Sequence, residues 1–301
     1  MVPVVRRWLP AFGLILLASS SYGITFRIAI TDPSVAWAKL RIEALDPAFF
    51  DPVVGLIGAD VDQRPIHLLI ADEASPIARQ TPRWIAGFAS GADDAIVLLP
   101  ARAADYPNDG FDELVLHEVT HILVWRAAGG GSVPRWFNEG FAMTAGRSWN
   151  FEDRRRLTAA IVTGNPVSLD QIERAFFRGE VPAGRAYALS EALVRDIIRH
   201  QGPSVVRRTL GGVSAGDSFD QAFERASAQS LDAVVNDFWR RQTFWNRWVP
   251  VVTSGFVLWI VITLLALLAF RRRRARDAAI KQKWEQEEAP ADPEPPDEWI
   301  N

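Results

Sequence analysis

The residues best suited to chemistry are His117-Glu118-Val119-Thr120-His121. Two imidazoles four places apart on a helix are turned by about 400°, so both face one side, one turn apart, as two ligands of a single metal ion require. Glu118, about 100° round from His117, can reach a water at such an ion without being a ligand itself. The chain holds four histidines, and half of them stand in this one turn. It holds no cysteine, which excludes a disulfide framework, a thiol nucleophile and any zinc site built on thiolates. The competing reading is a helix with two core-facing histidines bonded to neighbours. That would be costly, because the flanking apolar residues would bury both rings.

A helix over Phe111 to Ala127 must carry these groups; Asn108 or Asp109 can cap it, and Gly129, Gly130 and Gly131 end it. A zinc site that activates water needs a third protein ligand and an open fourth position. A second helix is read over Pro134 to Ala145, with Pro134 at its start and Glu139 in its first turns. Further helical patterns cover Phe151 to Val162, Ser168 to Phe177, Gly184 to His200, Ser218 to Ser227 and Ser230 to Phe244. Ahead of the histidines lie a helical pattern from Pro33 to Leu56 and two apolar runs, Ile66 to Ala71 and Ala95 to Leu99, read as strands. Strands followed by a run of helices predict an α+β fold: a small mixed sheet, then a mainly helical domain.

His-Glu-x-x-His, followed after seventeen intervening residues by Glu139 within Asn138-Glu139-Gly140, resembles the gluzincin metallopeptidases of the peptidase MA-like families, over roughly Asp94 to Gly202. The resemblance implies a zincin-like catalytic domain holding one Zn2+ on His117, His121 and Glu139, with Glu118 as general base. It implies that Asn138 braces a histidine ligand and that Tyr187 donates to the developing oxyanion, with His200 as a weaker rival. His200, just before Gly202, also suits a helix end, and His67 in an apolar strand pattern reads as structural. The resemblance further implies that Ala95 to Leu99 holds an extended substrate. The carboxylate that some relatives place four residues after the ligand glutamate is replaced by Met143. No Gly-Ala-Met-Glu-Asn run is present, which leans toward an endopeptidase over an aminopeptidase.

The ends of the chain predict its topology. Arg6 and Arg7 precede an uncharged stretch from Trp8 to Phe26, so residues 1–23 read as a signal peptide or signal anchor. Trp248 to Phe270 is 23 residues without a charge, about 34 Å as a helix, and reads as one transmembrane span. Arg271 to Lys283 carries seven basic residues and one acidic one, which holds that end in the cytoplasm. Residues 24–247 are then the extracytoplasmic domain, and 271–301 a basic and then acidic tail expected to be disordered. With 33 basic and 36 acidic residues, a net charge of −3 gives no field for nucleic acid. The expected protein is a membrane-anchored zinc metallopeptidase acting on a peptide or protein substrate outside the cytoplasm. The alternative is a catalytically inactive relative serving as a binding or assembly module; oligomeric state has no signature in the sequence.

Overall fold

The computed structural model describes residues 17–19, 24–58, 64–103, 110–146, 151–162, 167–252 and 255–287. It divides into two units, Met1–Gln242 and Thr243–Asn301. The first unit opens with β1 Leu17–Ser19, β2 Thr25–Ile30, α1 Ala36–Glu43, α2 Asp51–Ile57, β3 Ile66–Ile70, α3 Pro76–Gln80, β4 Gly87–Ser90 and β5 Ala95–Leu98. Helices follow: α4 Phe111–Ala127, α5 Arg135–Gly146, α6 Phe151–Val162, α7 Leu169–Ala175, α8 Glu180–Gln201, α9 Ser204–Ser214, α10 Phe219–Ser227 and α11 Leu231–Val252. The expected α+β order, a small mixed sheet and then helices, is the observed one. Of the segment read as a signal, residues 1–16 and 20–23 lie outside the described residues, and Leu17–Ser19 pairs with β2.

The sheet runs β2-β3-β5-β4, with β1 added antiparallel at the β2 edge. Its centre is parallel, Phe26 beside Ile66 and His67 beside Ala95, whereas β4 is antiparallel to β5 in the register Gly87 to Leu98 and Ser90 to Ala95. Alternation places Ile66, Leu68 and Ile70 of β3 on the buried face and leaves His67 exposed. The helical pattern expected from Pro33 to Leu56 is broken into α1, α2 and two 3-10 turns. Asp32 and Asp46 accept bonds from the amides of Ser34 and Ala48, and Pro33 and Pro47 follow them, so each pair starts a new turn.

α4 is buried almost all round, from Leu114 to Thr120 and again from Ile122 to Val124, as befits a helix at the centre of the fold. It packs on β4, β5 and α5. Its ends fall where the sequence places them. Asn108 and Asp109, however, lie outside the described residues, and Gly110 occupies the N-cap with no side-chain bond. Asp112 and Glu113 meet the positive end of the helix instead, and Asp112 takes bonds of 2.9 and 2.5 Å from Arg41 of α1. At the far end Arg126, its side chain buried, donates to Asp94 at 2.9 Å, tying the β4–β5 turn to α4. α5 crosses α8 very closely at Gly140, where any Cβ would collide with the Ser190 carbonyl. That is why glycine follows Glu139.

The second unit does not show the transmembrane span expected over Trp248 to Phe270. Among the described residues no helix is long and apolar enough to cross a membrane. Of the run from Trp248 to Phe270, 248–252 belong to α11 and 255–270 to α12 Gly255–Glu287, and 253 and 254 lie outside the described residues. The sixteen uncharged residues of α12 to Phe270 rise about 24 Å before Arg271.

Candidate metal centre

His117 and His121 project from α4 toward Glu139 of α5. Glu139 Oε2 stands 3.3 Å from His117 Nε2 and 3.4 Å from His121 Nε2, and one donor atom from each of the three residues lies within 4.8 Å of the others. Oε2 is buried without a regular hydrogen bond, though both rings interact with it electrostatically. Ligands of a tetrahedral ion held at about 2.0–2.1 Å are about 3.3 Å apart. The two nitrogen–oxygen separations and the orphaned oxygen therefore fit a zinc-sized cation. Three protein donors also leave the fourth position open.

Asn138 sits beside His121, with its Oδ1 3.0 Å from Nδ1. An amide oxygen only accepts, so Nδ1–H donates to it, and once the ring loses its second proton the Nε2 lone pair faces Glu139. Met143 is buried and offers no such acceptor to His117. Burial opposes charge on His121, but Glu139, then Glu118 and Asn138, prevail and raise its pKa to about 9. Glu139 moves the other way. Burial pushes its carboxyl up, but His121, His117 and Arg135 outweigh that and hold it well below the usual carboxylate range.

Glu118 is buried beside the three, and its Oε2 also has no hydrogen bond. Desolvation, helped by Glu139 and opposed by His121 and Arg135, raises its pKa to about 7. The backbone of β4 lies directly against it, since a Cβ on Gly87 would stand 2.9 Å from Glu118 Oε1. This overturns the expectation that Ala95 to Leu99 receives substrate. β5 is buried at all four positions and bonded on both sides by β3 and β4, whereas β4 is the edge strand and lies against Glu118.

Residues 55–244 match the family model of the Peptidase MA superfamily. The chain belongs to that superfamily. No curated protein sequence matches it. Peptidases of this superfamily are generally zinc-dependent, in keeping with the His117, His121 and Glu139 cluster of this Peptidase MA protein.

Tyr187 lies two turns into α8 and within the electrostatic reach of Glu139 and Glu118; burial foremost raises its pKa, so the phenol keeps its proton. Its ring meets Phe176 edge-on at 5.1 Å. His200 is elsewhere, exposed at the end of α8 with Nδ1 2.9 Å from the Asp196 carbonyl. Sequence reading missed Arg135, which donates from Nε to Glu139 Oε1 at 3.1 Å and hydrogen-bonds Tyr187. Its place four residues before Glu139 on one helix is a signal that could have found it. It also missed Gly87, which lies in a four-residue strand with no apolar run to mark it.

Proposed function

We propose that this protein is a membrane-anchored zinc metallopeptidase of the gluzincin kind that cleaves peptide bonds outside the cytoplasm. The observation that carries the reading is Glu139 Oε2, buried without a hydrogen bond and facing two imidazole nitrogens at tetrahedral-edge separations. His117, His121 and Glu139 would hold the zinc, whose chemistry there is that of a Lewis acid: it acidifies water and polarises a carbonyl.

The chain's own groups supply the rest. An extended peptide adds to the free edge of β4 through main-chain bonds, which brings its carbonyl over Glu118. Glu118, with a pKa of about 7, takes the proton of the attacking water and delivers it to the leaving amine. Tyr187, protonated, donates to the developing oxyanion. Asn138 keeps His121 in the ligating tautomer. An edge strand receives internal stretches of chain as readily as ends, which favours endopeptidase action.

Membrane attachment is supported by α12, where Leu258, Trp259, Leu264, Leu265, Leu268 and Phe270 are all exposed just before four arginines. The absence of charge from Trp248 to Phe270 and the basic run after it support a topology with the peptidase unit outside and the tail inside. Full-chain protein purified in detergent should carry one zinc per chain and hydrolyse casein. Glu118→Gln should keep the zinc and lose the hydrolysis. Absence of stoichiometric zinc at neutral pH would reject the reading. Met143 favours a second reading, an inactive binding or assembly module, for which Glu118→Gln would fully complement a deletion and chelator would leave the melting temperature unchanged.

A further inference from the structure

We propose that Arg135 is a positioning residue: it ties one oxygen of Glu139 so that the other faces His117 and His121, and it holds Tyr187 at the same centre. This role rests on the metallopeptidase reading above and extends it to a residue outside the ligand set. Arg135 Nε donates to Glu139 Oε1 at 3.1 Å, while Oε2 is the atom turned toward the two imidazoles. A carboxylate anchored in this way offers a metal one oxygen, which keeps the fourth position of a three-ligand site open. Helix stability does not account for the pair. Arginine four residues before glutamate is the less favourable order on a helix, and such a pair adds little to helix stability.

The guanidinium is itself held. Its carbon is 5.1 Å from the ring centres of both Phe176 and Phe177, so aromatic surface fixes its orientation before substrate arrives. Glu173 of α7 accepts from the Trp136 amide at 2.9 Å, locking the helix that leads into these two rings to the start of α5. Arg135 also hydrogen-bonds Tyr187, and Phe176 touches both side chains. Arginine has donors and no acceptor, so that bond runs from guanidinium to phenol oxygen and does not consume the phenol proton. Lysine, a single point charge without the planar fork, matches only part of this geometry.

The test measures zinc affinity, the cobalt(II) absorption spectrum and kcat on fluorescent casein for the full-chain protein, Arg135→Ala, Arg135→Lys and Tyr187→Phe. Arg135→Ala should weaken zinc by about 10- to 100-fold. Its cobalt bands should lose intensity as Glu139 binds through both oxygens and the ion becomes five-coordinate. Arg135→Lys should largely rescue metal affinity yet lose kcat as Tyr187→Phe does, and the double variant should lose no more. Unchanged affinity and spectrum in Arg135→Ala, or full kcat in Arg135→Lys, overturns the proposal while leaving the metallopeptidase intact. Should Arg135→Ala not fold, the lysine and phenylalanine variants decide alone. An unaltered protein that takes up neither metal overturns the metallopeptidase reading and this role with it.

Discussion

Glu118 is a carboxylate that folding alone would not place where it is: buried, one oxygen without a hydrogen bond, and pressed against the backbone of β4. Its pKa rises from the ordinary 4.5 to about 7, so folding takes up a proton between those values. Stability from this group is undiminished below about pH 4.5, falls as pH rises toward 7, and above 7 stays lower by up to about 3 kcal/mol. Glu118→Gln should therefore abolish turnover yet raise the melting temperature of the metal-free protein at pH 8. The gain should vanish near pH 4.5. Thermal unfolding of both proteins across that range checks it, and an equal gain at both ends would show that desolvation of the charge is not the cause. His121 makes the opposite demand. Held protonated up to about pH 9 in the metal-free protein, it must lose its proton to become a ligand. Apparent zinc affinity should thus rise about tenfold per pH unit between 7 and 9 and level off above, read by competition with a chelator.

At the scale of elements, helices were legible and strands less so. α4 and α6 begin and end at the residues their patterns indicate, because each has a strong apolar or charged rhythm over three turns or more. α9 was not legible: two glycines and several valines give it poor helix propensity, and it holds through burial of Val205, Val206, Leu210 and Val213. β4 carries no period-two signal, since all four of its residues are only partly buried, so the strand that lies on Glu118 could not be read locally. The metal ligands were legible because spacing on helices fixes them, whereas Gly87 and Arg135 matter through contacts across elements. Two glycines separate these effects. Gly140→Ala should cost about 1–3 kcal/mol by forcing α5 from α8, while Gly211→Ala, in open space on α9, should be neutral or stabilising by up to about 1 kcal/mol. Urea melts of the two variants measure the contrast. Gly87→Ala should leave zinc content intact but displace the Glu118 carboxyl and lower kcat by about 100-fold.

For the whole molecule, a net charge of −3 conceals a strong asymmetry. Arg271 to Arg274 follow directly on a run of apolar side chains of α12 that stand exposed from Leu258 to Phe270. An apolar surface of that extent is rarely left to water, so something must cover it, and the adjoining basic cluster suits the headgroups at a cytoplasmic membrane face. The same composition that excludes thiol chemistry makes the topology easy to test, because a cysteine introduced anywhere is the only one in the chain. Ala215→Cys, exposed at the end of α9, should react with a membrane-impermeant maleimide added to intact cells. Ala278→Cys, exposed on α12 beyond the arginines, should react only after permeabilisation. Alkaline carbonate should leave both variants in the membrane pellet. Labelling of Ala278→Cys in intact cells would place the basic segment outside and remove the basis for an extracytoplasmic peptidase. Release by carbonate would instead limit α12 to lying on the bilayer surface, as its sixteen uncharged residues to Phe270, about 24 Å of helix, would by themselves permit.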